Sequence, residues 1–179
     1  MRALRELLGL APAPESESGR DTATVHRIAR ELDRLDRDEA RYLAAFAYVL
    51  ARVAYADLEV SDREVGEMER HVREEGELTE AQAALVVQIA RVQAISYGGT
   101  EDYVVTRQFR DLSTREQRLG LIRCLFAVAA ADDSISHVEN TQISQIANEL
   151  GLTGREVAAV RGEFRDQLEV LKQKRGPES

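Results

Sequence analysis

The sequence contains two copies of a short acidic motif, called the acidic phrases below, whose residue types could bind a metal ion. In the first copy Asp57 is followed by Glu64, and in the second Asp132 is followed by Glu139 at the same spacing. Carboxylate oxygens are the ligands that hard divalent cations such as Ca²⁺, Mg²⁺ and Mn²⁺ prefer. Four carboxylates that converge repel one another unless protons, hydrogen bonds or a cation neutralise them. A bound divalent cation is therefore one hypothesis for these residues.

The same phrase also has a purely structural explanation. A Ser followed three residues later by a Glu forms a capping box at the start of a helix, and both Ser61 with Glu64 and Ser136 with Glu139 fit this pattern. Each aspartate can also accept backbone N–H bonds in the turn. The phrase is not an EF-hand, because Ile143 stands where that loop needs a bidentate Glu. The sequence leaves capping and metal binding open as alternatives.

Apolar stripes lead into both acidic phrases. Apolar residues recur at helical spacing from 43 to 54 and again from 121 to 129. The next inward positions of these two stripes are Asp57 and Asp132. An ionised carboxylate is costly there, because it loses water and because the end of a helix already carries partial negative charge. Each aspartate therefore needs a compensating donor or cation.

The pattern as a whole predicts an all-α bundle of seven to eight helices with an internal pseudo-twofold repeat. No stretch alternates convincingly with a period of two, so strands are not expected. Gly151 is expected to end the seventh helix. Helices are predicted near residues 22–34, 38–57, 62–74, 80–96, 101–110, 114–132, 137–150 and 154–173. Capping boxes are predicted to begin at Asp36, Ser61, Thr79, Ser113, Ser136 and Thr153.

Composition divides the 179-residue chain into three parts. Residues 1–21 are predicted to be an N-terminal segment and a flexible linker, because residues 11–19 are rich in Pro, Ser and acidic side chains. The Leu-rich residues 1–10 could form a short amphipathic helix that docks on the body, on a partner or on a membrane surface, with a frayed tail as the alternative. Residues 22–175 are predicted to form the helical domain and residues 176–179 a disordered tail.

Charge and the absence of catalytic motifs narrow the classes of function. The net charge is −8 with both signs interspersed, which argues against a nucleic-acid partner. The sequence has no apolar run near twenty residues and no signal peptide, so a cytoplasmic protein is expected. The single cysteine, Cys124, lies among apolar residues and is expected to be a buried thiol. Neither a phosphate-binding loop nor a nucleophile motif is visible, so we expect a protein that is not an enzyme.

Two smaller polar groups are further candidates for site residues. His71 lies on the same predicted helix face as Glu64 and could join the acidic residues. Tyr103, Thr106 and Arg107 could form a polar cluster in which Arg107 neutralises an acidic side chain. Ordinary packing of a short helix is the alternative for this second group.

Taken together, these motifs resemble the tellurite-resistance TerB-like family. The resemblance rests on the two phrases Ala-Asp-x-x-(Val or Ile)-Ser-x-x-Glu, on a Leu-Thr pair that opens a helix after each, and on the segment from Tyr103 to Phe109 between them. It covers residues 36–164. The family usually has Gly after each Asp, where this chain has Leu58 and Asp133.

The resemblance implies an all-helical, internally symmetric domain with a metal-binding acidic site. Asp57 and Asp132 match the family's paired aspartates, and Glu64 and Glu139 match the glutamates that follow them. It also implies membership in bacterial stress or tellurium-resistance systems, through multiprotein or membrane-associated complexes. We therefore expect a non-enzymatic TerB-like protein that binds a divalent cation and has protein partners, with any membrane association peripheral. A metal-free protein-interaction module is the alternative.

Overall fold

Eight α-helices account for most of residues 7–8, 22–54, 62–96, 102–132 and 134–168, which are the residues that the computed structural model describes. The all-α prediction is confirmed, and most of the predicted bounds agree with the structure to within three residues. The internal pseudo-twofold relation stays a prediction. The helices are α1 (Thr22–Leu32), α2 (Arg37–Ala54), α3 (Asp62–Gly76), α4 (Glu80–Ser96), α5 (Asp102–Leu112), α6 (Arg115–Ala129), α7 (His137–Glu149) and α8 (Gly154–Glu163), with short 3₁₀ turns at Ala130–Asp132 and Arg165–Gln167.

Helix α2 lies at the centre of the bundle and packs against α4, α5 and α6. Leu43, Phe46 and Leu50 are fully buried along it, at the spacing that puts them on one face. The ring of Phe109 in α5 stacks on that of Tyr42 at a centroid distance of 5.3 Å and meets Phe46 edge-on at 5.8 Å. These aromatic contacts fix α5 against the central helix.

Helices α3 and α6 run antiparallel and approach each other closely. A Cβ atom placed on Gly120 of α6 would lie 2.7 Å from the carbonyl oxygen of Glu75 in α3, which is closer than real Cβ atoms come. One turn further along, the Cys124 thiol lies 3.6 Å from the carbonyl oxygen of His71 and donates to it. Extended by two more turns, this register puts position 64 level with position 131. The beginning of α3 therefore lies beside the end of α6.

Three of the predicted capping boxes are confirmed in full. In each, the first side chain accepts a bond from the third helical N–H, and the third side chain accepts one from the backbone of the cap. At the start of α2 the carboxylate of Asp36 accepts N–H bonds from Asp38 and Glu39, each at 3.0 Å. Ser61 lies outside the described residues. The confirmed boxes are Thr79 with Gln82, Ser136 with Glu139, and Thr153 with Glu156.

The prediction that Ser113 caps α6 is wrong by one residue. Thr114 is the cap, and Gln117 completes its box. The buried Ser113 hydroxyl instead donates to the carbonyl oxygen of Phe109, one turn back in α5. Because the Ser113 hydroxyl is bonded to the end of α5, Thr114 caps α6 instead.

The last helix is shorter than predicted, since α8 ends at Glu163 and not at 173. The Phe164 ring stacks on Phe126 of α6 at 5.7 Å. Leu168 is buried and forms an isolated parallel β-bridge with Ile135, just before α7. The contacts of Phe164 and Leu168 favour a turn over continued helix. Residues 169–173 lie outside the described part of the chain.

The end of α7 and the N-terminal segment complete the fold. Gly151 has a φ of +72° and ends α7 as predicted, with the Leu152 N–H bonded to the Ala147 carbonyl at 3.0 Å. Leu8 is fully buried in the hydrophobic core, and Leu7 packs against that core. This part of the N-terminal segment therefore docks on the body.

The close approach of α3 and α6 makes a testable prediction. The substitution Gly120→Ala is expected to lower the free energy of unfolding by about 1–3 kcal/mol, because its methyl group must push the Glu75 carbonyl away. Gly66→Ala is the matched control in α3, since nothing lies within 4 Å of its added Cβ. It is expected to stabilise the protein by about 0.5–1 kcal/mol. Urea unfolding of both variants measures the difference, and equal effects would contradict the packing.

Candidate functional site

The second acidic phrase forms a tight entry into α7. The Glu139 carboxylate accepts the Ser136 N–H at 2.8 Å, and the Ser136 hydroxyl accepts the Glu139 N–H at 3.2 Å. Ile135, immediately before the cap, is 1% exposed and pairs with Leu168. Glu139 therefore has the capping role in the structure, and this bond fixes the direction of its carboxylate.

An amide next to this cap has an open acceptor. The side-chain oxygen of Asn140 is buried, and no described residue donates a hydrogen bond to it. A buried carbonyl-type oxygen without a donor costs free energy unless a donor or a cation reaches it. Asn140 adjoins Glu139 in the first turn of α7, so two oxygen-bearing side chains enter this end of the bundle from neighbouring positions.

The other predicted site residues are only partly described. Asp57 lies outside the described residues. Glu64 lies in the first turn of α3 and Asp132 in the 3₁₀ turn after α6, but their side chains are not among the described ones. The α3–α6 register brings their backbones to the same level of the bundle. Among the described residues, no three His, Cys, Asp or Glu side chains are grouped so that they could hold a metal ion.

A buried ion pair joins the end of α2 to the end of α7. The Arg52 guanidinium, in the last turn of α2, donates to the Glu149 carboxylate at 2.8 Å and to the Thr106 hydroxyl at 2.7 Å. The side chains of Arg52 and Glu149 are only 7% and 11% exposed, and Thr106 is fully buried. Three helices, α2, α5 and α7, are therefore linked through one charged group.

Two glutamines of α7 extend this polar network. The Gln142 amide donates to the backbone carbonyl of Arg52 in the last turn of α2. The Gln145 amide donates to the second carboxylate oxygen of Glu149 at 3.1 Å. Helix α2 ends at Ala54, just before the first acidic phrase, and α7 follows the second acidic phrase. The network therefore holds the end of α2 against α7.

The partners of Glu149 determine its charge. Burial alone would raise the pKa of this carboxyl, but the hydrogen bond and charge of Arg52 outweigh burial and hold the pKa below its ordinary value. Glu149 is therefore ionised at neutral pH. A buried carboxylate and a buried guanidinium stabilise each other only while both are present, since removal of one leaves the other unpaired away from water.

Sequence reasoning identified one member of this network and missed the others. Thr106 was a candidate for a polar cluster with Tyr103 and Arg107, but both of these are exposed, and the buried Thr106 hydroxyl is bonded by Arg52 instead. Arg52 is the one charged residue between Tyr42 and Asp57, and that isolation is the signal that could have identified it. Glu149 lies 97 positions away in sequence, and local pattern gives no indication of that pairing.

Cys124 and His71 do not contribute to the acidic end of the bundle. Cys124 is buried as predicted, and burial raises the pKa of its thiol, which makes it a poor nucleophile. His71 lies two turns along α3 from position 64, so it does not join the acidic residues. Partial burial and the neighbouring Arg70 lower its pKa.

Fold and site together define a small all-α bundle in which two copies of an acidic phrase each precede a helix. The family model described as Tellurite resistance protein TerB matches residues 42–162. The chain therefore belongs to the TerB family. No curated protein matches the sequence, and no solved structure matches it. None of the described helices is both long enough and apolar enough to cross a membrane.

The buried ion pair predicts a pH-dependent loss of stability. Glu149→Gln is expected to lower the free energy of unfolding by about 2 kcal/mol at pH 7, because Arg52 loses its charged acceptor. The folded-state pKa of Glu149 is below the ordinary value of 4.5, so the stabilisation is present above pH 4.5 and is lost as the pH falls through the folded-state pKa. The difference between variant and parent should therefore shrink below pH 4.5.

The exposed pair of Glu31 and Arg34 provides the control for this experiment. Their side chains are 46% and 72% exposed, so Glu31→Gln should change the unfolding free energy by less than about 0.5 kcal/mol. Urea unfolding from pH 7 to pH 3 measures both variants. A loss for Glu149→Gln that is as large at pH 3 as at pH 7 would show that the charge of Glu149 does not contribute.

Proposed function

We propose that the protein acts by binding and not by catalysis, as a cytoplasmic component of a stress-response or tellurite-resistance system. We also propose that the end of the bundle formed by the two acidic phrases binds a divalent cation. Asp57, Glu64, Asp132 and Glu139 are the ligands of this proposal, and Ca²⁺, Mg²⁺ and Mn²⁺ are the candidate ions. Membership of the TerB family supports the general assignment.

The observation that carries the cation proposal is the antiparallel register of α3 and α6. The same close contact that keeps Gly120 against Glu75 brings the beginning of α3, where Glu64 lies in the chain, beside the end of α6, which Asp132 follows. Carboxylates that converge repel one another, and a cation is one means of neutralising them.

The side chains described at this end of the bundle fit an oxygen-binding cation. The Glu139 carboxylate uses one oxygen, Oε2, for the cap. The buried Oδ1 of Asn140 receives no bond from any described donor, and amide oxygens are ordinary ligands of Ca²⁺. When bound, the cation would supply positive charge that offsets the repulsion between the carboxylates. Glu139 and Asn140 would hold that charge beside the first turn of α7.

A metal-free interaction module is the second candidate, and the exposed face of α5 supports it. Tyr103 and Val104 are 56% and 46% exposed there, which is unusual for large apolar side chains in this protein. Apolar groups with a polar rim are typical of protein contacts. In this alternative the acidic phrases serve only as caps, and α5 carries the function.

A thermal-shift experiment on metal-depleted protein tests the cation proposal. A cation present at a hundred times its dissociation constant should stabilise the fold by about 2.7 kcal/mol. For a chain of this size that corresponds to a rise in melting temperature of about 5–10 °C. The combined substitution Asp57→Asn and Asp132→Asn should abolish the rise.

The matched control replaces two carboxylates at the opposite end of the bundle. Asp38 lies in the first turn of α2 and Asp111 in the last turn of α5, and both are exposed. Asp38→Asn with Asp111→Asn removes the same total charge and should preserve the cation-dependent rise. Absence of a shift with Ca²⁺, Mg²⁺ and Mn²⁺, or an equal loss in both double variants, would refute the site and favour the metal-free module.

A further inference from the structure

Helix α5 presents an exposed face with a shallow groove. The groove has a volume of about 200 Å³ and is lined by Tyr103, Val104, Arg107, Gln108 and Asp111. Positions 104, 107, 108 and 111 have the spacing i, i+3, i+4 and i+7, which is the arrangement that receives one side chain of a facing helix. Sites for drug-sized ligands are usually larger, about 300–1,000 Å³, so the volume also suits a single side chain.

The apolar part of this face can accept a long side chain. Tyr103 and Val104 are 56% and 46% exposed, and they are two of the three large hydrophobic side chains that are exposed in the described part of the chain. Apolar surface of this kind can cover the methylene stem of an arginine while the charged head reaches a polar partner. The face therefore offers apolar area together with access for a charged group.

Charged groups of both signs lie at the rim of the groove. Arg107 is exposed, and no described acidic side chain forms an ion pair with it. The Asp111 side chain is 64% exposed. Its Oδ1 lies 3.4 Å from Nε of Arg110, and its Oδ2 receives no bond from any described donor. Because positions 107 and 111 are four residues apart, an unpaired cation and a carboxylate with an open oxygen lie on the same side of α5.

A face that carries a cation and an anion can bind a second copy of itself. In a twofold contact both copies supply the same residues, so the cation of each copy meets the anion of the other. A carboxylate with an open oxygen can accept N–H bonds from a guanidinium of another molecule. A partner of uniform charge would attract either Arg107 or Asp111 and repel the other. Charge complementarity therefore favours a second copy of the chain as the occupant.

We propose that α5 is a contact surface between two copies of this chain, and that each copy inserts Arg107 into the groove of the other. The two α5 helices run antiparallel, and the twofold axis crosses midway between positions 107 and 108. Arg107 of one copy then lies level with Gln108 of the other copy. Asp111 of that copy is three residues further along, or about 4.5 Å. The guanidinium spans this distance and pairs with the open carboxylate oxygen.

Apolar contacts flank each ion pair in this arrangement. Position 104 of one copy lies level with position 111 of the other, so Val104 covers the pair and excludes water from it. Tyr103 lies level with Leu112 of the other copy, a leucine that is half-buried in the single chain. Partial exclusion of water strengthens the attraction between the two charges.

The contact is expected to be weak and reversible. Helix α5 has 11 residues, so the area that it can bury is at the low end for protein interfaces, below about 1,200 Å². A dissociation constant on the order of 100 µM corresponds to a contact of this kind. The proposal names the occupant of the α5 face and does not depend on a cation at the acidic phrases. All the experiments below therefore include a chelator.

Sedimentation equilibrium of the full chain tests for the second copy. Between about 10 µM and about 1 mM protein, the weight-average mass should rise from about 1.2 to about 1.8 times that of the monomer, as a dissociation constant of about 100 µM requires. A mass that stays at the monomer value at 1 mM would overturn the proposal. The α5 face would then be left to a different protein or to the N-terminal segment.

Charge reversal tests the reciprocal ion pairs. Arg107→Asp places a carboxylate opposite Asp111 of the other copy, and Asp111→Arg places a guanidinium opposite Arg107, so each variant alone should be monomeric at 1 mM. An equimolar mixture of the two variants restores both pairs and should form a heterodimer about as tight as the parent dimer. Self-association of either variant at the parent's affinity, or a mixture that stays monomeric, would contradict the twofold contact.

Arg73→Asp is the matched control for these reversals. Arg73 is 46% exposed in the last turn of α3, and α3 packs against α4 and α6. This variant changes the net charge of the chain by the same amount as Arg107→Asp and should dimerise like the parent. If the two arginine variants lose self-association equally, net charge and not the α5 face controls it, and the proposal is wrong.

Nuclear magnetic resonance of the parent chain locates the contact without any substitution. As the protein concentration rises from about 10 µM to about 1 mM, amide signals of residues 103–112 should shift with the same dissociation constant that sedimentation gives. Amide signals of residues 65–76 in α3 should stay in place. Concentration-dependent shifts that occur elsewhere and leave α5 unchanged would overturn the proposal even if the chain dimerises.

Discussion

The contact between α3 and α6 is the constraint on which the arrangement of the acidic phrases depends. Because Gly120 has no side chain, the two helix backbones meet at the level of Glu75, and the register of every later turn follows from that contact. Packed helices usually lie 8–10 Å apart, and small residues allow the closer end of that range. A larger residue at 120 would separate the helices and shift the beginning of α3 away from the end of α6. Packing near one end of the α3–α6 pair thus controls the geometry at its other end.

The polar network around Arg52 fixes the orientation of helices that hydrophobic packing brings together. Hydrophobic burial is non-directional, so the apolar faces of α2 and α7 alone would tolerate small rotations. The bonds from Arg52 to Glu149 and Thr106 allow one orientation, because a guanidinium has fixed donor directions. Removing water from these charges has a free-energy cost, and the contribution of the network is therefore to orientation more than to total stability.

Local rules predicted the helices well, whereas contacts between distant residues were not predictable. Capping boxes and apolar stripes act within one or two turns, and the bounds of α4 and α7 follow from them closely. The length of α8 was wrong because Phe164 finds its partner in α6 and Leu168 finds one before α7, neither of which is visible in the local sequence. The bonds from Arg52 to Thr106 and Glu149 were not predicted for the same reason, because they join residues that are distant in sequence. For the acidic phrases, the sequence correctly predicted the capping role of Glu139, while cation binding stays a prediction.

The segment after α8 has a consequence for the entry into α7. The family match ends at residue 162, whereas the contacts of Phe164 and Leu168 with α6 and Ile135 lie just beyond it. The residues that brace the entry to α7 are thus outside the region by which the family is recognised. Substitutions at Phe164 or Leu168 can therefore change the rigidity of the turn before α7 without altering any helix between residues 42 and 162.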